Sequence, residues 1–203
     1  MNAINNLQPL DGDGVRLRLL TAADLPHTLT WRNRDEVRCW FKHSDVVSMG
    51  DHQAWFNRHQ SRSDAIMLIV EDIKTDIPVG QVSIYNIDRE ISEAEVGRFI
   101  AATGASGKGF IRAAILKLVD FAFTELMLRR VFLEVYRDNL RAIRLYESVG
   151  FIEIKPDRPT TCGSERPVAF MERVASSSPT VQAPSSSKNA LNSSPALVFD
   201  QSA

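Results

Sequence analysis

Apolar and polar residues alternate along Val15-Arg-Leu-Arg-Leu19, the period of a half-buried strand. Thr21 with Asp24 three residues on reads as a helix start, and that helix should run to about Asn33. A second start, Ser48 with Asp51, opens a helix that carries His52, Trp55, Phe56 and His59 on one face. Three strands follow: Ala65–Glu71, Val79–Ile87 and Glu93–Ala101. The first two are parted by the turn-like Lys74-Thr-Asp-Ile-Pro78, and such short connections favour an antiparallel meander.

Beyond a glycine-rich loop, Ile111, Ala114, Ile115, Leu118, Ala122 and Leu126 mark one apolar face of a long amphipathic helix. Arg130–Tyr136 is the next strand. Asn139 can cap a fourth helix with apolar Ile143, Leu145, Tyr146 and Val149, and Gly150 sits where its C-terminus wants a left-handed residue. Phe151–Ile154 and Val168–Arg173 close the pattern, joined by a long loop that holds Cys162-Gly163. The order β-α-α-β-β-β-α-β-α-β-β predicts one mixed α/β domain with a mostly antiparallel sheet of six to seven strands and about four helices.

After Val174 the composition shifts to Ser, Pro, Ala and Asn, with only Lys188 and Asp200 charged. Residues 175–203 therefore read as a disordered tail with one short apolar patch, Ala196-Leu-Val-Phe199, and residues 1–14, ending in Asp11-Gly-Asp-Gly14, as a flexible lead-in. Residues 15–174 form the expected domain. Lys plus Arg number 24 against 25 for Asp plus Glu, so the chain lacks the basic surplus of a nucleic-acid binder. Its two cysteines have neither metal-ligand spacing nor the density of a disulfide scaffold, and no apolar run is long enough to span a bilayer. A cytoplasmic protein is expected, monomeric or homodimeric, with no membrane partner. Its histidines lack carboxylate or cysteine partners at ligand spacing, so no metal site is expected.

The segment Gly104-Ala-Ser106-Gly107-Lys108-Gly109 lies between a strand and a long helix. Glycines let the backbone approach a ligand, and the unpaired N–H groups of a helix's first turn can cradle phosphate oxygens. The spacing fits neither a P-loop nor a dinucleotide fingerprint. The second block runs Leu133-Glu-Val-Tyr-Arg-Asp-Asn139-Leu-Arg-Ala142-Ile-Arg-Leu-Tyr146-Glu-Ser-Val-Gly150-Phe151. Together, loop and block resemble the GNAT acetyltransferase superfamily, whose pattern N-x-x-A-x-x-L-Y-x-x-x-G-F is met at every specified position. The loop departs from the family's Q/R-x-x-G-x-G/A, because Gly104 stands where Gln or Arg is usual.

That resemblance implies a sheet splayed between the strand ending near Ile100 and the strand of Leu133–Val135, with acetyl-CoA as cosubstrate. Its pantetheine arm would pair with the Phe99 and Ile100 backbone and touch Asn139, while Gly104, Ser106, Gly107, Lys108 and Gly109 hold the pyrophosphate. Tyr146 matches the family's acid; a phenol with an ordinary pKa near 10 stays protonated at neutral pH and can reprotonate the leaving thiolate. Glu134, twelve residues earlier, is the first choice of base and Glu95 the second.

For the acceptor, Trp31-Arg32-Asn33, Val37-Arg38-Cys-Trp40-Phe41 and Asp51-His52-Gln-Ala-Trp55-Phe56 look like the GNAT enzymes that acetylate a nucleotide-linked 4-amino-4,6-dideoxy sugar. Aromatic faces can stack on a base, while Arg32, Arg38 and His52 can meet phosphates or hydroxyls. Arg32, His52 and Glu95 are the expected acceptor contacts. The alternatives are acetylation of a protein N-terminus and a non-catalytic acyl-CoA-binding module.

Overall fold

The computed structural model describes residues 7–156, 159 and 166–176. Eight strands form one sheet in the order β1-β2-β3-β4-β5-β6-β8-β7. They are β1 (Leu10–Asp11), β2 (Val15–Leu19), β3 (Ala65–Asp72), β4 (Ile77–Asp88), β5 (Glu93–Ala101), β6 (Arg130–Tyr136), β7 (Ile152–Ile154) and β8 (Val168–Val174). All adjacent pairs are antiparallel except β5 with β6. The helices are α1 (Leu25–Asn33), α2 (Asp35–Arg38), α3 (Met49–Gln60), α4 (Phe110–Thr124) and α5 (Leu140–Ser148).

Ala65 to Val70 of β3 are all buried, so both faces of the sheet's centre are covered. Connections β5-α4-β6 and β6-α5-β7 join parallel strands and move the same way across the sheet, so the right-handed crossover rule sets α4 and α5 on one face. On that side Ala114, Ile115, Leu118, Val119 and Ala122 of α4 join Val82, Ile84, Val96, Val131 and Leu133 in the main core. Each fully buried Ile or Leu there contributes roughly 1.5–3 kcal/mol. Helices α1 to α3 are left to cover the other face.

Three differences from the sequence reading have local causes. The sheet has eight strands rather than six or seven, because Leu10–Asp11 within the supposed lead-in pairs with Leu17 and Arg16 and is held by an Arg16–Asp11 ion pair at 2.9 Å. Five helices replace four, since Asp35–Arg38 forms one turn between α1 and α3. Pro78 lies inside β4 rather than in the turn, opposite Glu71, where a register shift accommodates a residue that cannot donate to the ladder.

Asp24 does more than start a helix. Its carboxylate accepts from the Thr21 N–H at 2.9 Å and from both terminal nitrogens of Arg18 at 2.8 Å, while Arg18 Nε donates to Glu71 at 2.6 Å. This ties the entry of α1 to β2 and β3. Among the described residues no helix is long and apolar enough to cross a membrane. The expected tail from Ser177 onward and the Cys162-Gly163 loop lie outside the described residues.

Candidate active site

Strands β5 and β6 pair only at Glu93↔Arg130, Ala94↔Val131 and Glu95↔Phe132. β5 then continues to Ala101 against β4, and β6 to Tyr136 against β8, without further pairing to each other. The facing edges beyond Glu95 thus leave backbone N–H and C=O groups for a third extended chain. A bulge shapes the opening: Gln81 to Ser83 on β4 is matched by Ile100 to Gly97 on β5, and the extra residue, Arg98, has φ +53°. A second irregularity lies past Tyr85, where Asn86 has φ +52°.

Between these two bulges, Tyr85 and Glu95 are cross-strand partners. The Tyr85 hydroxyl donates to Glu95 Oε1 at 2.8 Å and the Asn86 amide to Oε2 at 3.0 Å. Arg98 sets its guanidinium 4.5 Å from the centre of the Tyr85 ring. Gly97 leaves room for this contact, since a Cβ would lie 2.9 Å from the Tyr85 hydroxyl oxygen and push it aside. Glu95 is only 7% exposed. Burial pushes its pKa up, the hydrogen bond from Tyr85 pulls it down, and the negative charge of Glu134 raises it again. In the parallel register Phe132 faces Glu95, so Glu134, two residues on, projects from the same face of β6. Two carboxylates therefore meet where the strands part.

Tyr146 comes from α5, whose N-terminus is capped by Asn139: its side-chain Oδ1 accepts from Ala142 N–H at 3.2 Å. The Tyr146 ring meets Phe99 of β5 edge-on at 5.7 Å and lies 6.3 Å from Phe151. Withdrawal from water raises the pKa of its phenol well above the ordinary value, so the hydroxyl keeps its proton at any physiological pH. Tyr85 is raised too, by burial and then by Glu95, and its hydroxyl is near enough to Tyr146 for the two phenols to oppose each other's ionisation.

The glycine loop ends in Gly109, the residue preceding α4, with φ +85°, and Gly107 has φ +80°. Side chains adopt this backbone only at a cost, so glycine keeps the turn cheap and its outer surface bare. The first turn of α4 carries no acidic residue, which leaves the helix's positive end for an anion. Arg141 of α5 donates to Ser106 Oγ and brings a cation to the loop. The loop and helix end suit a pyrophosphate.

On the opposite face, His52 Nε2 lies 2.9 Å from Thr28 Oγ1, and its ring stacks on Trp55 at 5.2 Å. Burial, then the charge of Arg32, lowers its pKa. Arg32 stacks over Phe41 at 3.9 Å and donates through Nη2 to the His43 carbonyl. Nearby, Arg34 donates to the Ala101 carbonyl, so the end of α1 rests on the end of β5. Glu95, Glu134, Phe99 and Tyr146 thus gather at the parting of β5 and β6, while Arg32 and His52 form a second group on α1 and α3. No sequence motif marks Tyr85 or Arg141. Tyr85 follows Gln81 and Ser83 on the polar face of β4, and Arg141 fills an unspecified position of the Asn139–Phe151 pattern.

The model of the acetyltransferase (GNAT) domain family matches residues 15–152. The chain belongs to the GNAT acetyltransferase family. It is 32% identical over 141 residues to spermidine N(1)-acetyltransferase of Vibrio cholerae, covering 68% of this chain and 79% of that one. A crystal structure of the Vibrio cholerae spermidine N-acetyltransferase with CoA and spermine superposes with a TM-score of 0.70 at 26% identity, over 79% of this chain and 95% of the other. Aminoglycoside N(6')-acetyltransferase type 1 of Klebsiella pneumoniae is 23% identical over 150 residues, covering 68% and 74%. The GNAT protein is an acetyl-CoA-dependent N-acetyltransferase. The finer expectation fares differently: these relatives are named for a polyamine and an aminoglycoside, and none for a nucleotide-linked sugar.

Proposed function

We propose that this GNAT enzyme acetylates a primary amine of a small soluble molecule, with Tyr146 as general acid and Glu134 as the group that takes the amine's proton. The parting of β5 and β6 after Glu95 is the observation that carries this reading, because two carboxylates and a phenol from three elements converge on it. Its geometry supports a cosubstrate arm lying along Phe99 and Ile100, with the pyrophosphate at Gly104, Ser106, Gly107, Lys108 and Gly109. Asn139 then sits at the start of α5 beside that arm.

The amine must be neutral to attack, although an alkylammonium has a pKa of about 10. Glu95 and Glu134 attract the ammonium, and Glu134 accepts its proton directly or through water. The nitrogen lone pair forms the C–N bond to the thioester carbon, the nitrogen of the tetrahedral intermediate loses its second proton to water, the C–S bond breaks, and Tyr146 gives its proton to the departing thiolate and regains one from solvent. Glu95 is the weaker candidate for base, since Tyr85 and Asn86 already occupy its two oxygens. Its part is to hold the ammonium. Spermidine is the named acceptor of a relative matched over 68% of the chain, whereas the putative ribosomal N-acetyltransferase of Bacillus subtilis, 39% identical, is matched over only 36% of it, which supports a small molecule over a protein N-terminus.

The test is thiol release from acetyl-CoA over an amine panel, followed by E134Q and Y146F. Each variant should lower kcat by about a hundredfold, the scale of general acid or base catalysis, with little change in acetyl-CoA KM. Retention of wild-type kcat/KM by both between about pH 6 and pH 9 would remove the acid and base assignment.

A further inference from the structure

We infer that Arg32 selects the acceptor, and that the amine acetylated here carries an oxyanion, a carboxylate or a phosphate, bound by the Nη1 edge of that guanidinium. This rests on the reading of the slot as the place of acetyl transfer, and it names the acceptor class for that same site.

Arg32 is fixed but incompletely used. Its plane lies over Phe41, and Nη2 donates to the His43 carbonyl. The connection that encloses it is clamped in turn, as Asn33 donates to the Val47 carbonyl at 2.8 Å and accepts from Val47 N–H at 2.9 Å. Nη1 is shielded from solvent and has no hydrogen-bond partner. It is the one buried side-chain nitrogen or oxygen among the described residues in that condition. Leaving such a donor unmade is costly, more so when it is charged, so a bound group that supplies the acceptor is the economical explanation.

The charge around it points the same way. Burial and then the positive charge of Arg38 lower the Arg32 pKa, and among the described residues no carboxylate acts in the other direction. Arg38 is itself engaged by Asp35 at 2.9 Å and the Ser44 carbonyl at 2.7 Å. His52, under the influence of Arg32, is held neutral. The Arg32 donor therefore disfavours the second ammonium of a polyamine and favours an oxyanion, whose planar or tetrahedral oxygens suit the guanidinium fork. Its position also fits, since the charge of Arg32 acts on His52, which stacks through Trp55 on His59, and His59 in turn feels Arg98, the residue that lies over Tyr85 in the slot. The amine end would then lie toward Glu95 and Glu134, and the oxyanion toward α1. Such an acceptor departs from spermidine, the acceptor named for the Vibrio cholerae relative.

The experiment compares aminohexanoate, aminohexyl phosphate, hexylamine and diaminohexane, with their shorter homologues, in acetyl-CoA thiol release by the full chain and by R32Q and R32K. An oxyanion-bearing member should exceed both the alkylamine and the diamine of its length by about tenfold or more in kcat/KM, the worth of a charge-assisted hydrogen bond. R32Q should collapse that ratio and R32K restore part of it. Whichever of carboxylate and phosphate is preferred identifies the group. A diamine that matches or beats the oxyanion acceptors overturns the inference, as does an R32Q loss uniform across the panel, which marks a structural role. Calorimetry of aminohexyl phosphate and aminohexanoate on CoA-saturated protein gives a readout independent of turnover. A tenfold weaker Kd in R32Q supports the inference, and an unchanged Kd or no binding overturns it. Absence of thiol release with every amine would sink the transfer reading alone.

Discussion

Around the slot between β5 and β6 the backbone does most of the positioning, whereas on the side of α1 to α3 side chains do. The half proposed for the cosubstrate consists of an unpaired strand edge, a glycine turn with φ +80° and +85°, and a capped helix. The half proposed for the acceptor consists of Arg32 on Phe41, Asn33 on Val47, Arg34 on Ala101 and His52 on Thr28. A backbone device binds what every enzyme of the fold shares, because it tolerates many side chains. A side-chain device can be rewritten residue by residue, which is what a change of acceptor demands.

The largest effect is expected where the backbone half is tightest. A Cβ on Gly80 would stand 2.4 Å from the Ile100 carbonyl oxygen and 2.7 Å from Ile111 Cδ1. Backbone cannot move away as a flexible side chain can, so Gly80→Ala should lose about 3 kcal/mol in denaturant unfolding and weaken acetyl-CoA binding as β5 is displaced. Wild-type stability and affinity together would show that the strand edge is not a preorganised wall.

Arg141 sharpens the division, since it is a side chain serving the backbone half. Arg141→Ala should raise the KM for acetyl-CoA by about tenfold, with the shift lost when acetyl-pantetheine replaces it, because the contact sought is with phosphate. Equal shifts for the two thioesters would assign Arg141 to the rigidity of the loop instead.

Asn139 separates capping from binding. Asn139→Ala should lower stability by about 1 kcal/mol, seen as a lower Tm, because Oδ1 no longer meets Ala142 N–H. Asn139→Asp keeps the cap but not the amide N–H, so an acetyl-CoA KM raised in both variants, with Tm lowered only in Asn139→Ala, would reveal a cosubstrate contact made by the amide.

The same division explains what could be read before the structure. Gly107, Gly109 and Asn139 act through local geometry, so their spacing along the chain already announces the turn and the cap. Tyr85 and Glu95 meet only through a register broken by bulges on both sides, at Asn86 and Arg98, which no alternation pattern announces. Arg141 reaches Ser106 across 35 residues. The two-residue strand Leu10–Asp11 is too short to show a period. The likeness of α1 to α3 to nucleotide-sugar enzymes rested on Trp, Arg and His types. Here several of those residues spend their contacts on one another, as when Trp55 stacks between His52 and His59. Residue type alone could not separate packing from recognition.

The smallest effect tests that acceptor half through pH. His52 is held neutral by burial and by Arg32, so its folded pKa lies below the unfolded value of about 6.5. Between those values the unfolded chain binds a proton that the folded chain refuses. Stability therefore falls as pH drops through about 6.5, with a slope of at most about 1.4 kcal/mol per pH unit for one proton. His59, also depressed by burial and by Arg98, adds a parallel contribution. His52→Gln can keep a polar contact to Thr28 and removes one of the two, so Tm plotted from about pH 7 to pH 5 should decline less steeply than in the wild type. Arg32→Gln should act in the same direction by relieving His52 of a neighbouring charge. If neither variant flattens the curve, His52 and Arg32 do not share one electrostatic environment, and the acceptor half is not the coupled cluster its geometry describes.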